Sequence, residues 1–342
     1  MAVTIIHRRT SKTATGKRRS LRHCVGLGLL ICHLQAGAAD PKGTLNLSLD
    51  NDLWGSGNDR HYTHGTQLSY ATNTYQPRWL LDAASLMPFY ESNDDTRLVW
   101  TLGQKIYTPS DLTRSDLIVD DRPYAGWLYA SLGLVTDHRA AHRHVDQLEL
   151  IVGLVGPDSG AESVQRRVHK WTNSEIPQGW DNQLDDELTL GLSYRRQWML
   201  PIFTDYIDVV PAVGFQIGTA MRYVDTGITL RVGSGIGSDY GPPLIEPAMA
   251  GTGYFQPSQA FFWYLFAGVS GRYVEHNLFL EGNSDKPSHS VEPEEWVGAI
   301  QAGLVMGLGS WRLSVTNIFR SREFEGQQDP DEFGSIGLSY RF

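Results

Sequence analysis

The chain ends in the stretch Gly334-Ser335-Ile336-Gly337-Leu338-Ser339-Tyr340-Arg341-Phe342. Large apolar side chains stand at every second position from Ile336 onward, and small or polar residues stand between them. A period of two is typical of a β-strand with one face in an apolar medium and the other in a polar one. The last strand of a secreted β-sandwich would show the same pattern, so the rest of the chain must decide between the two architectures.

Alternating runs of similar length recur along nearly the whole sequence, and they predict about twelve antiparallel strands. Strands in lipid must close into a barrel, because an open edge would leave backbone groups without hydrogen-bond partners. The terminal phenylalanine favours this fold, since the C-terminal stretch resembles the last strand of bacterial outer-membrane proteins. We therefore expect an all-β transmembrane antiparallel β-barrel. The predicted strands are Thr44–Asn51, Thr63–Thr72, Arg97–Tyr107, Gly126–Thr136, Asp146–Val155, Glu187–Met199, Ile207–Ile217, Ala220–Val232, Ala260–Val274, Trp296–Gly307, Trp311–Phe319 and Gly334–Phe342.

The N-terminus predicts export, with residues 1–38 as a signal peptide and residues 39–342 as the barrel domain. Seven basic residues precede an apolar run that is too short to span a membrane, and Ala36-Gly37-Ala38 fits a cleavage site. Cleavage would remove both cysteines, and with them any disulfide. It would also change the balance from 29 basic against 38 acidic residues to 22 against 38, a net charge of −16. Such an acidic chain is a poor nucleic-acid binder.

Strand parity predicts which connections lie on which side of the membrane. If both chain ends are periplasmic, the connections from odd to even strands are extracellular, and the turns between even and odd strands are short. Two predicted periplasmic connections are longer: 73–96, with a short helix around Trp79–Leu86, and 233–259, which could fold into the lumen as a plug. The predicted extracellular connections are 52–62, 108–125, 156–186 and 275–295.

The connection after the fifth strand is predicted to open a helix that carries His169. Ser159 and Glu162 have the spacing of a capping box, in which each side chain satisfies a free N–H group at the helix start. An apolar stripe at i, i+4 and i+7 is expected to face the protein, with His169 at the edge of the buried face. The stripe consists of Val164, Val168 and Trp171.

Four polar stretches fall in connections that parity places at one end of the barrel. Singly, each has an ordinary explanation, because Asn and Asp form turns and a lone histidine packs more often than it reacts. Together they supply a base, a hydroxyl, carboxylates and a cation, which are the groups that ester hydrolysis requires. Their hard oxygen ligands suit calcium rather than zinc, and the chain contains no G-x-S-x-G motif. The stretches are Asp50–Asp52, Asn58–Gly65, Tyr107–Ser110 with Arg114 and Asp120–Trp127, and Gly156–His169 continuing to Glu187.

A further histidine-rich run, His138 to His144, has the density of a metal site. Its place in a predicted periplasmic hairpin favours a solvated turn instead.

The order of these motifs resembles that of the outer-membrane lipid A 3′-O-deacylase family. The resemblance covers nearly all of the predicted mature chain, with every motif in sequence. It implies a twelve-stranded barrel of the Gram-negative outer membrane that removes the 3′-linked acyloxyacyl group from lipid A and depends on calcium. The motifs are Asn51-Asp52, Tyr62-Thr63-x-Gly65, Ile106-Tyr107-Thr108-Pro109, Asp121-Arg122-Pro123-Tyr124, Gly156-Pro157-x-Ser159-Gly160 and Gln165-x-x-x-His169.

The resemblance also implies roles for individual residues. His169 would be the general base that activates water, Asn51 and Asp52 would lie beside it, and Asp52 would help to hold Ca²⁺. Thr63 takes the position of the active-site hydroxyl, and Glu175 also matches. Two positions depart from the family: Arg114 stands where members carry a lysine, and Pro177 stands where they carry a tyrosine.

Three functions remain open on the sequence. The leading hypothesis is a calcium-dependent esterase that acts on lipid A, or lipopolysaccharide, from the outer leaflet of the outer-membrane bilayer, with its active site at the extracellular rim. A phospholipase-like barrel of the same chemical class is the first alternative. A non-catalytic barrel that serves as a channel or organises lipopolysaccharide is the second.

Overall fold

The computed structural model of the protein describes residues 43–55, 60–73, 77–139, 143–203, 206–238, 240, 255–256 and 260–342. The predicted signal peptide lies outside these residues. Within them, none of the helices is both long and apolar enough to cross a membrane.

Twelve antiparallel strands form a single closed sheet in the described parts of the chain, as predicted. Each strand pairs with its neighbours in sequence, the first pairs with the last, and the sixth pairs with the seventh, which completes the ring. The sixth strand is interrupted once, at Met199, and continues as Leu200–Phe203 along the same neighbour. The strands are β1 Thr44–Asn51, β2 His61–Ala71, β3 Thr96–Thr108, β4 Ala125–His138, β5 His144–Val155, β6 Glu187–Trp198, β7 Ile207–Gly218, β8 Met221–Ser234, β9 Phe261–Asn277, β10 Trp296–Leu308, β11 Trp311–Arg320 and β12 Asp331–Arg341.

Alternation along each strand separates an apolar outer surface from a filled interior. On β9, Trp263 and Leu265 are 40% and 53% exposed, whereas Phe262 and Tyr264, which alternate with them, are fully buried. The same period-two pattern on β12 leaves Leu338 exposed on the outer surface. An apolar belt of this kind is what a barrel presents to lipid. The interior holds ion pairs instead, such as Arg231 with Asp208.

Two helices lie against the outer surface of the barrel, near opposite ends of neighbouring strands. The first, α1 (Arg78–Ala84), confirms the helix predicted near Trp79–Leu86. It packs with the segment after it against Leu98, Leu134 and other outward side chains of β3 to β6. The second is α2 (Ala161–Thr172), which contacts β3 and β4. A third helix is a single turn, α3 (Leu278–Glu281).

The connection predicted to form a plug contributes side chains to the interior. Tyr240 packs among inward residues of β3, β4 and β5, including Val99 and Val135, and its hydroxyl contacts the Arg97 guanidinium. Phe255 is buried against Phe262. Most of the connection lies outside the described residues, and the extent of the plug therefore stays a prediction.

The connections predicted to share one end of the barrel do contact each other there. The Asp185 N–H donates to Asn283 Oδ1 at 3.0 Å, and His289 Nε2 lies 2.6 Å from the Asp121 carbonyl oxygen. Arg60 Nη1 lies 3.2 Å from Asp329 Oδ2. We call this the loop end of the barrel. It carries the candidate site.

Candidate active site

A β-bulge at Thr63 interrupts the pairing of β2 with β3 at the loop end. The register shifts between Tyr62 and His64, so Thr63 is the extra residue. Bulges of this kind redirect a side chain and are common beside active sites. Thr63 is 1% exposed, and its hydroxyl lies 2.7 Å from the hydroxyl of Thr108 on β3. Thr108 lies in one of the sequence motifs, but its pairing with Thr63 was not predicted, because a bulge leaves little signal in a single sequence.

Asn51 and Asp52 lie directly beside this bulge. The Asn51 side chain caps the 3₁₀ turn Asp52–Trp54 by accepting from the Leu53 N–H, and its Nδ2 donates to the Thr63 carbonyl at 3.0 Å. Asp52 is 3% exposed, and its Oδ2 accepts from the Arg60 N–H at 2.5 Å. Three of the predicted site residues are therefore brought together by backbone and side-chain hydrogen bonds.

The helix α2 docks on the outer wall through a glycine. Trp127 and Tyr129 of β4 point into the aromatic cluster of the interior, so Gly126 faces outward. A methyl group on Gly126 would lie 2.2 Å from both Ala161 Cβ and Ser159 Oγ, which means that the start of α2 packs directly on the bare backbone.

A second set of contacts holds the same end of the helix. Gln104 of β3 donates to the Ser159 carbonyl at 2.7 Å, and Ile106 is buried beneath Ala161. The helix is thus fixed at its N-terminal end on β3 and β4, outside the barrel.

The predicted orientation of α2 is wrong. The buried stripe is Ala161, Gln165 and His169, whereas Val164 is 36% exposed and Trp171 is 80% exposed. Outside a membrane barrel the surrounding medium is apolar, so an apolar stripe turns away from the protein and small or polar residues pack on the wall.

The predicted capping box is also absent from α2. Gly160, in the left-handed region at φ 73°, caps the helix, and the Ser159 hydroxyl donates to the Gly156 carbonyl instead. Glu162 pairs with Arg166 one turn along, at 2.8 Å.

His169 is buried and its ring orientation is fixed by the backbone. Its Nδ1 contacts the carbonyl oxygen of Glu175, and the side chain is 4% exposed. A carbonyl oxygen can only accept, so Nδ1 carries a proton, and in the neutral imidazole the lone pair is therefore on Nε2. The Glu175 side chain itself is exposed, so this predicted site residue contributes through its main chain.

The turn of α2 before His169 is held by a second hydrogen bond. Gln165 Oε1 accepts from the indole N–H of Trp180 at 2.8 Å, and Trp180 is 1% exposed. Neither residue was among the predicted site residues. The signal was the spacing of Gln165, four residues before His169, which places both on one helical face.

The helix and the bulge meet at the same end of β3. Ile106 lies under α2, and Thr108, two residues further along the strand, pairs with Thr63. Strand geometry separates these two positions by about 7 Å. The start of the helix that carries His169 and the Thr63–Thr108 pair therefore lie at the same end of β3, and Asp52 lies beside that pair.

Two other predicted features lie in exposed or connecting segments. Arg114 is paired with Asp116, with Nε 3.2 Å from Oδ1, on an exposed part of the β3–β4 connection. The hydrogen bond from Arg114 lowers the pKa of the Asp116 carboxyl, because it stabilises the charged form. The structure thus places the Arg114 guanidinium on Asp116. Pro177 is buried in the return segment that follows α2.

The donor atoms around Asp52 fit calcium. The 51–63 group gathers carboxylate, amide, carbonyl and hydroxyl oxygens, which are the hard ligands that calcium takes. Asp52 would hold the ion. A single carboxylate predicts weak affinity, with a Kd of about 10⁻⁴–10⁻³ M.

The histidine cluster at the opposite end of the barrel fits a metal poorly. His138 and His144 lie near Asp146, with His138 Nε2 3.3 Å from its Oδ2. Their rings are stacked, 4.4 Å apart and 10° from parallel, so both cannot aim a lone pair at one ion. Asp146 also receives two bonds from Arg196, at 2.6 and 2.8 Å. A structural hairpin remains our interpretation of this run.

Known proteins resemble this chain in sequence and in fold. The family described as outer membrane protein LpxR matches residues 24–342. The structure of LpxR from Salmonella typhimurium is similar at a TM-score of 0.71 and 20% identity, covering 87% of this chain and 100% of that one. The β domain of the Bordetella autotransporter BrkA reaches 0.40 at 9% identity, covering 90% and 100% of the two chains. The NanC porin reaches 0.38 at 7% identity, covering 87% and 100%. No curated protein matches the sequence.

Proposed function

This chain belongs to the LpxR family of outer membrane proteins, and from that premise we propose that it is a calcium-dependent esterase that removes the 3′-linked acyloxyacyl group of lipid A. One observation carries the proposal. His169 is buried with Nδ1 on a backbone carbonyl, and its helix docks at the end of β3 where Thr108 pairs with Thr63. The outer wall is where a lipid substrate can reach these groups without entering the interior.

In this proposal one nitrogen carries out both proton transfers. His169 Nε2 takes a proton from water as the water oxygen bonds to the ester carbonyl carbon. The same nitrogen then returns the proton to the departing sugar oxygen as the ester bond breaks, which leaves a free hydroxyl and a fatty acid. The Glu175 carbonyl stabilises the imidazolium that forms between the two steps.

The remaining residues orient the substrate and stabilise the charge that develops during the reaction. Calcium, when bound by Asp52, would supply positive charge for the oxyanion. Asn51 fixes the backbone beside Thr63, and the paired hydroxyls of Thr63 and Thr108 offer hydrogen bonds to the substrate. A serine nucleophile is not needed for this chemistry.

The outward faces of α2 support an approach from the lipid leaflet. Val164 and Trp171 are exposed on the helix, as Leu102 and Leu128 are on the wall strands β3 and β4. Arg167 and Lys170 are exposed on the neighbouring face of the helix. In an otherwise acidic chain, this local combination suits acyl chains on one side and anionic phosphate on the other.

Mass spectrometry of lipids from expressing cells separates the candidate functions. Lipid A that loses a 3′ acyloxyacyl group with the wild type, but not with His169→Ala, would support the proposal. Fatty acid released from phospholipid with lipid A intact would favour a phospholipase. Ion conductance across a planar bilayer, with neither lipid altered, would favour a channel.

A further inference from the structure

We infer that His61 is a positioning residue for the proposed active site, and that it acts by clamping the chain between Asp52 and Thr63. This inference rests on the proposed function. His61 was not among the site residues that the sequence predicts. It reaches the site through its neighbours in the chain.

The His61 side chain is enclosed by two carboxylates from different connections. Its Nδ1 lies 2.5 Å from Asp331 Oδ1 at the start of β12. Its Nε2 lies 3.8 Å from Asp121 Oδ1, in the β3–β4 connection. All three side chains are at least nine-tenths buried. The ring also meets Phe324 edge-on at 5.5 Å, so contacts on several sides fix its position.

The carboxylates that hold His61 are themselves anchored. Asp121 Oδ2 accepts from both the backbone and the hydroxyl of Ser110, at 2.7 and 2.6 Å. Gln327 Nε2 donates to Asp331 Oδ1 at 3.2 Å. The imidazole therefore links three connections of the loop end through groups that cannot easily shift.

The backbone at His61 adopts a conformation that its side chain does not favour. Its φ of 61° lies in the left-handed region, which only a few per cent of non-glycine residues adopt, with asparagine, aspartate and histidine the most frequent among them. Such strain persists only where surrounding contacts determine it, and it tends to mark functional segments. The clamp from Asp331 and Asp121 supplies those contacts.

The left-handed turn at His61 affects the residues on both sides of it in the chain. Immediately before it, the Arg60 N–H donates to Asp52 Oδ2, the carboxylate assigned to calcium. Two residues after it, the bulge turns Thr63 toward Thr108. One clamped side chain thus sets the orientation of a metal-binding carboxylate and of the active-site hydroxyl.

Two readouts on the refolded full-length barrel in detergent test the inference, and neither depends on turnover. The first is amide hydrogen exchange in a peptide that covers residues 60–66. The second is calcium binding by titration calorimetry. His61→Gly relieves the left-handed strain and removes the clamp, whereas His61→Asn tolerates the same φ and serves if the glycine variant does not fold. Heat-dependent gel migration confirms that each variant forms a barrel.

His289→Gln is the matched control. The His289 ring also contacts Asp121, but at the Asp121 carbonyl oxygen. This contact links connections that do not include residues 60–63. The substitution alters a loop-end contact at the Asp121 carbonyl and leaves in place the Asp121 and Asp331 carboxylates that hold His61.

We expect His61→Gly to speed exchange at residues 60–63 and to weaken calcium binding by about 10-fold or more, the usual effect of losing a residue that orients a metal ligand. His289→Gln should leave both within about 2-fold of the wild type. Unchanged exchange at residues 60–63 in His61→Gly, or an equal effect of His289→Gln, would overturn the inference. A wild type that binds calcium but leaves lipid A intact would instead overturn the proposed function alone.

Discussion

The packing of α2 on Gly126 gives the sharpest mutational prediction. Gly126→Ala places a methyl carbon 2.2 Å from Ala161 Cβ and from Ser159 Oγ. Non-bonded carbon atoms approach to about 3.5–4.0 Å, so the start of the helix must move by about 1.5 Å. The strands keep their backbone pairing, because Gly126 remains opposite Ile106 in an unchanged register. We therefore expect a folded barrel with a displaced helix.

The displacement should cost activity rather than stability of the barrel. A misplacement of about 1 Å in a catalytic arrangement lowers the rate by about 100-fold. The assay is the rate of release of the 3′ acyl group from lipid A by purified protein. Limited trypsin digestion is the second readout, since Arg166, Arg167 and Lys170 lie on α2 and should be cleaved faster once it undocks.

Gly191→Ala is the matched control for this substitution. Gly191 also lies within a strand, but the nearest atom to an added methyl group there is 3.7 Å away, which is ordinary contact. It should keep wild-type activity and a wild-type digestion pattern. If Gly126→Ala matched Gly191→Ala in both assays, the docking of α2 on this glycine would not position His169 for the proposed reaction.

Three further substitutions test individual contacts. Glu175→Gln should retain at least 10-fold more activity than His169→Ala, because the Glu175 carbonyl and not its carboxylate holds the imidazole; equal losses in the deacylation assay would assign a role to the carboxylate. Trp180→Phe removes the hydrogen bond to Gln165 and should weaken the docking of α2 by about 1–3 kcal/mol, seen as faster amide exchange in α2; unchanged exchange would count against that contact. Thr63→Val should lower the deacylation rate while Thr63→Ser preserves it, and full activity of the valine variant would remove the hydroxyl from the mechanism.

The architecture of this protein could be predicted because lipid imposes a simple rule on strands. A strand in lipid shows mostly apolar residues to the membrane at every second position, so the alternation that ends at Phe342 recurs along the predicted strands. The predicted β1 agrees with the structure at both ends, and most other strand ends agree within a few residues. The alternation of odd and even strands then predicted that the connections after odd strands lie at one end of the barrel. The contact between Asp185 and Asn283 confirms that two of these connections meet.

The orientation of α2 could not be predicted from the same reasoning. The rule that apolar residues face the protein holds for a helix in water, but α2 lies on the outer wall of a membrane barrel. There the bare backbone at Gly126 selects Ala161, and the apolar Trp171 turns away. The prediction was wrong because it assumed an aqueous surrounding.

Details of the site depend on backbone geometry that a single sequence does not encode openly. Glu175 was predicted as a site residue with a charged side chain, yet its backbone carbonyl makes the contact to His169. His61 gave no signal of a left-handed turn, because that conformation arises from carboxylates distant in sequence. Local patterns reveal which residue types gather at the rim, whereas long-range contacts decide which atoms they present.

We propose that His169 removes a proton from water during cleavage of the 3′ ester. The most direct measurement is the release of 3′-linked acyloxyacyl fatty acid from purified lipid A, with wild-type protein and His169→Ala, in millimolar calcium and after chelation. We predict release by the wild type in calcium only, and a loss of at least about 100-fold in His169→Ala. Equal release by the two proteins, or an unchanged substrate with the wild type in calcium, would contradict the account.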